Sequence, residues 1–122
     1  MATSGRSRVK VRETHNIELY LGSINEETKD PISYEDLVRE VQLFQDDQLY
    51  IVPVCITSIE FVCGSEYREK GWRISTINYP RINRTPKQLN SFIMNLATVL
   101  CATMKQNRIT VVGASNTVMV ER

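Results

Sequence analysis

An α+β domain, with one antiparallel sheet and two helices on one of its faces, is predicted by three observations. Segments of period two, Asn16–Ser23 foremost, alternate with two segments of helical period. They follow one another in the order β-α-β-β-α-β, with one more strand at the C-terminal end. A chain of 122 residues has room for one core and not for two. That order is the ferredoxin-like, split βαβ arrangement. Residues 1–15 then form a basic N-terminal arm, and residues 16–122 a single domain.

Each element has its own signal. In the arm, Arg6, Arg8, Lys10 and Arg12 alternate with Ser7, Val9 and Val11, as in an extended segment with one basic face. It reads as a grip on phosphates or as a solvated tail. In NIELYLGS, Ile17, Leu19 and Leu21 alternate with Glu18, Tyr20 and Gly22, giving a half-buried strand. Ser33 sits three residues before Asp36 and precedes the stripe Leu37, Val38, Val41 and Phe44, which predicts a capped helix ending near 46–48. Tyr50–Cys63, rich in Ile, Val, Thr and Phe, predicts a long strand or two strands, with Pro53 at an edge or bulge. Residues 64–70 read as a charged turn and 71–79 as the next strand. Thr85 caps a second helix with Pro86 at its first position. Leu89, Phe92, Ile93, Leu96, Val99 and Leu100 recur at helical spacing up to about Lys105. Arg108–Val112 and Thr117–Val120 read as strands around a turn.

Composition narrows the function classes. The chain is 42% hydrophobic, too apolar for disorder. Its net charge of +1 exerts no global pull on nucleic acid or membrane. No apolar run approaches the roughly 20 residues of a bilayer span. The polar, basic start predicts no signal peptide, and a cytoplasmic location is expected. Cys55, Cys63 and Cys101 form no CxxC pair, so no metal site and no cofactor are expected. His15 is the single histidine. No nucleophile elbow, HxxxH, Walker loop or dinucleotide fingerprint occurs, so no catalytic residue is assigned and no enzyme is expected. The long strand 50–63 carries apolar residues at both parities. A homo-oligomer that covers part of the second sheet face is therefore expected.

The stronger constellation is polar and basic. Asn78, Tyr79, Pro80, Arg81 and Arg84 lie where one strand leaves the sheet, and Asn107, Arg108 and Thr110 where another enters. In this fold those ends lie on opposite sides of the second helix, and a neighbouring subunit could bring them together. Arginine offers a fork of donors that matches phosphate. Asparagine can pair with an adenine edge, and Trp72, Tyr79 or Phe92 could stack on a base. The same arginines could equally make structural salt bridges, and the asparagines could serve as turn residues.

IELYLGSI at 17–24, FQDDQ at 44–48, GWRISTINYPR at 71–81 and QNRITVV at 106–112 resemble the phage anti-Thoeris sponge proteins of the first described type. The resemblance covers nearly all of the chain after residue 15. It implies a non-enzymatic protein that binds a cyclic ADP-ribose isomer, and in some members cyclic oligonucleotides, and so starves the Thoeris defence of its signal. It also implies nucleotide sites between subunits of a dimer or an assembly of dimers. Carried over, Arg81 and Arg108 are the ligand residues, with Asn78, Tyr79, Asn95 and Trp72 as further candidates. Ile82 stands where an aromatic is expected, which displaces the adenine contact onto another ring. Two rival readings are a small RNA- or DNA-binding module and a ferredoxin-like enzyme with an interface active site. The first lacks the aromatic sheet motif of RNA-recognition domains.

Overall fold

The structure, a computed structural model, describes residues 7–11, 13–77 and 79–122. Seven elements follow in order: β1 (Asn16–Gly22), α1 (Tyr34–Asp46), β2 (Cys55–Cys63), β3 (Tyr67–Ile77), α2 (Pro86–Thr103), β4 (Arg108–Val112) and β5 (Thr117–Glu121). The strands form one sheet in the order β2-β3-β1-β4-β5, antiparallel at every pairing. This is the ferredoxin-like sheet with a fifth strand added beside β4. The predicted fold class is the observed one.

The helices form where capping and periodicity coincide. The Ser33 hydroxyl accepts the Asp36 amide at 3.1 Å and so satisfies a donor that the first turn of α1 leaves open. Thr85 and Gln88 exchange side-chain and backbone bonds in a capping box at the start of α2. Leu37, Val41 and Phe44 of α1, and Leu89, Phe92, Ile93, Leu96 and Leu100 of α2, are buried. Phe44 meets Phe92 with ring centroids 5.2 Å apart. Below them lie Ile17, Leu19 and Leu21 of β1, Trp72, Ile74 and Thr76 of β3, and Ile109 and Val111 of β4. Each such aliphatic side chain contributes about 1.5–3 kcal/mol by leaving water.

Two predicted boundaries move. Residues 51–54 carry no regular structure, and β2 begins only at Cys55. Val52 is buried, and its carbonyl accepts the Gln45 side-chain amide at 3.0 Å, so this segment packs against α1 instead of extending the sheet. The charged turn shrinks to residues 64–66, and β3 already starts at Tyr67. The charges of Arg68 and Glu60 pair across this hairpin, which extends as two exposed strands. Gly64, at φ 67°, supplies the left-handed residue of its turn. Residues 7–11 are exposed and belong to no strand. Arg6 and Arg12 of the predicted arm lie outside the described residues.

Alternation along the strands sorts the sheet into two faces. The buried residues named above point at the helices. Their neighbours point the other way: Glu18, Tyr20 and Gly22 of β1, Tyr67, Glu69, Gly71 and Arg73 of β3, Ile59 and Phe61 of β2, and Arg108 and Thr110 of β4. No helix among the described residues covers that second face.

Candidate functional site

The second face holds a cleft of about 330 Å³ where β1 ends and β4 begins. Tyr20, Gly22, Phe61, Tyr67, Glu69, Arg108 and Thr110 line it, with Glu26 and Asn107 at its rim. Its floor depends on two glycines. Gly22 of β1 pairs with Gly71 of β3. A β-carbon on Gly22 would collide with the Glu69 carboxylate, and one on Gly71 with the Phe61 ring and the Leu21 carbonyl. The missing side chains let a carboxylate and a phenyl ring lie flat on the sheet.

The charges differ in how far they are committed. The Tyr67 hydroxyl donates to Glu69 Oε1 at 2.7 Å. That bond, followed by burial and the Glu69 charge, holds the Tyr67 phenol above its ordinary pKa. Glu26 takes an ion pair from Lys29 Nζ at 2.9 Å and accepts from Asn107 Nδ2 at 3.4 Å. Glu69 and Arg108 have no ion-pair partner among the described residues. The cleft thus presents one anion and one cation outside any ion pair among the described residues, beside three aromatic rings. Next to it, Tyr20 donates to Glu18 Oε1 at 2.7 Å, and Arg73 Nε lies 3.7 Å from Glu18 Oε2. That Nε is buried and has no hydrogen-bond partner. Beneath the rim, buried Gln106 donates to the carbonyls of Ile24 at 2.8 Å and Met104 at 3.2 Å, which ties the loop after β1 to the entry of β4.

The residues singled out from sequence scatter. Arg108 lines the cleft. Arg81 is exposed on the turn after β3, beyond Ile77, which pairs with Asn16 at the opposite end of β1. The two arginines therefore stand roughly 20 Å apart along the sheet, at about 3.3 Å per strand residue, and do not meet within one chain. Trp72 is 6% exposed on the helix side, so its indole serves the core and presents no face to a base. Tyr79 is half-buried, with its hydroxyl 3.7 Å from Cys55 Sγ. The contact with the thiol, then burial, raises the Tyr79 pKa. Asn95 is exposed on α2, across the sheet from the cleft. Asn78 lies outside the described residues. Sequence reasoning passed over Tyr67, Glu69, Phe61 and Glu26. Isolated glycines inside strands were the available signal, because they mark close approach of another group.

Among the described residues no group of three His, Cys, Asp or Glu is placed to hold a metal ion. No helix among them is long and apolar enough to cross a membrane.

No protein-family model matches the chain, and no curated protein matches it in sequence. Solved structures do share its fold. A phage SAM lyase in complex with S-methyl-5'-thioadenosine superposes with a TM-score of 0.67 at 12% identity, over 94% of this chain and 95% of the lyase. The same kind of enzyme in its apo state gives 0.69 at 12% identity, over 88% and 89%. These likenesses correct one expectation. A protein of this fold is a lyase, so the absence of a nucleophile, metal or cofactor motif gives no ground for placing this chain outside the enzymes.

Proposed function

We propose that the chain binds S-adenosylmethionine in the cleft on the helix-free face and cleaves it to S-methyl-5'-thioadenosine. The observation that carries this reading is that Glu69, bonded to the Tyr67 hydroxyl, and Arg108, neither in an ion pair among the described residues, line one cleft with aromatic rings. S-adenosylmethionine is a sulfonium with an amino-acid arm and an adenine. A carboxylate beside Tyr67 and Tyr20 suits the sulfonium, Arg108 suits the arm's carboxylate, and the Phe61 ring suits the base. The fold shared with the phage lyase supports the same choice.

The chemistry asks little of the protein. The bond between sulfur and the amino-acid arm breaks, its electron pair stays on sulfur, and a neutral thioether leaves. The arm replaces the lost pair by closing its own carboxylate onto that carbon, or by giving up a neighbouring proton to a base. Glu69 is the carboxylate at hand for the second route. Neither route needs a protein nucleophile or a metal.

Capture of a cyclic ADP-ribose isomer, with the block of Thoeris defence that it implies, is the second reading. Arg108 and the rings favour it, since they could serve one phosphate and the adenine. Glu26 and Glu69 oppose a doubly anionic ligand, and Arg81 reaches it only from another subunit. Incubation with S-adenosylmethionine, followed by mass spectrometry, separates the two. Release of S-methyl-5'-thioadenosine, slowed at least tenfold in Glu69→Gln, is the expected result. Intact S-adenosylmethionine, with no rise in Tm from the thioether, overturns the first reading. A Tm rise with cyclic ADP-ribose isomers in its place establishes the second.

A further inference from the structure

A second concentration of charge lies at the other end of the sheet. Arg8 and Lys10 of the arm come against Pro80 and Arg81 of the turn after β3, and together these four line a hollow of about 300 Å³. No described acidic residue lines it. Arg8, Lys10 and Arg81 also have no ion-pair or hydrogen-bond partner among the described residues. Several other basic side chains are committed, though Lys70, Lys87 and Arg108 form no ion pair among the described residues. Lys29, Arg39, Arg68, Arg73, Lys105 and Arg122 face carboxylates. Arg84, three residues beyond Arg81, turns inward to the Ile51 carbonyl at 3.0 Å and lies over the Tyr50 ring. In a chain of net charge +1, three uncompensated cations around one hollow are a local feature, not a reflection of bulk charge.

We propose that this hollow is a binding site for linked phosphates, the di- or triphosphate group of a small molecule. Holding like charges together is unfavourable, and an anion of two or more charges relieves it. Arg8 and Lys10 are two residues apart in a segment outside any strand, so their backbones lie at most about 7 Å apart at roughly 3.3–3.6 Å per residue. That spacing lets them meet successive phosphates while Arg81 closes from the turn with its planar fork of donors. A nucleic-acid backbone fits less well, because the basic track stops at Arg81 where Arg84 faces inward. No residue of the cleft takes part, so the site stands whether or not the lyase reading does.

Inorganic tripolyphosphate, titrated calorimetrically into the whole chain at low salt, is the test. Binding that Arg81→Ala weakens at least tenfold, and that Arg39→Ala, an exposed site on α1 away from the hollow, leaves within twofold, supports the site. A variant with Arg8→Ala and Lys10→Ala together should weaken it likewise, with an unchanged Tm in the absence of ligand. No heat of binding, or equal affinity in all these variants, overturns the proposal. Affinity for single-stranded oligonucleotides that exceeds that for tripolyphosphate and grows with strand length also overturns it, in favour of a nucleic-acid surface.

Discussion

Gly22 and Gly71 are paired neighbours with opposite consequences. A β-carbon on Gly71 meets the Leu21 backbone carbonyl, which cannot yield without disturbing β1. Gly71→Ala should therefore cost about 1–3 kcal/mol in urea unfolding, the usual range for overpacking. A β-carbon on Gly22 collides with the far end of the Glu69 side chain and comes no closer than 3.4 Å to Gln106 Oε1. Gly22→Ala should leave the urea midpoint nearly unchanged yet displace that carboxylate, weakening ligand binding in the cleft at least fivefold by calorimetry. Equal losses of stability in the two variants would contradict this division. Tyr20 carries a pH prediction. Its bond to Glu18, then partial burial, raise the phenol above its ordinary pKa. The folded state therefore holds this proton more tightly than the unfolded chain. The resulting stability is complete below about pH 10, the unfolded tyrosine value, and is lost as pH rises through the higher folded value. Tyr20→Phe should cost about 1 kcal/mol near neutrality and shrink the alkaline decline measured by urea unfolding between pH 8 and 11.

At the scale of elements, what could be read from sequence followed from how local each cause is. Caps and apolar stripes act within a few residues, so Ser33, Thr85 and Pro86 mark the starts of both helices. Thr85→Ala removes one half of the capping box and should cost about 0.5–2 kcal/mol, read as a lower urea midpoint with the m-value unchanged. β4 was predicted at its observed bounds, because Arg108–Val112 alternates cleanly and Gly113 follows it. The start of β3 was missed. Tyr67, Arg68, Glu69 and Lys70 look like a solvated turn, and only their partners on β2 make them a strand. Residues 50–54 erred the other way. Val52 is buried in the core and its carbonyl accepts from Gln45 of α1, contacts that strand propensity does not register.

At the scale of the molecule, a sheet with helices on one face leaves the other to be explained. That face mixes Ile59, Phe61 and Met119 with Glu18, Arg73 and Arg108. Met119 is 52% exposed, and Ile77 at the rim 42%. The homo-oligomer expected from sequence would cover part of this surface and could bring a neighbour's residues to the cleft. Sedimentation equilibrium at micromolar concentration should then give a multiple of 14.0 kDa; a mass of 14 kDa at every concentration tested would remove the shared site from consideration.

The amino-acid order alone determined the element types, their succession and hence the α+β class, because hydrophobic period and capping are properties of neighbouring residues. It also brought Arg108 into view as a candidate, and Arg108 lines the cleft. Only the tertiary structure decided that Arg108 stands with Glu69, Tyr67 and Phe61, and that Arg81 stands with Arg8 and Lys10 at the far end of the sheet. The cleft grouping arises from strand register, which joins residues 40 or more positions apart in sequence on one face, and the hollow forms outside the strands, where the arm meets the turn after β3. No local pattern encodes which of two ends a charged side chain will occupy. The long-range pairing of β1 with β3 and β4 does.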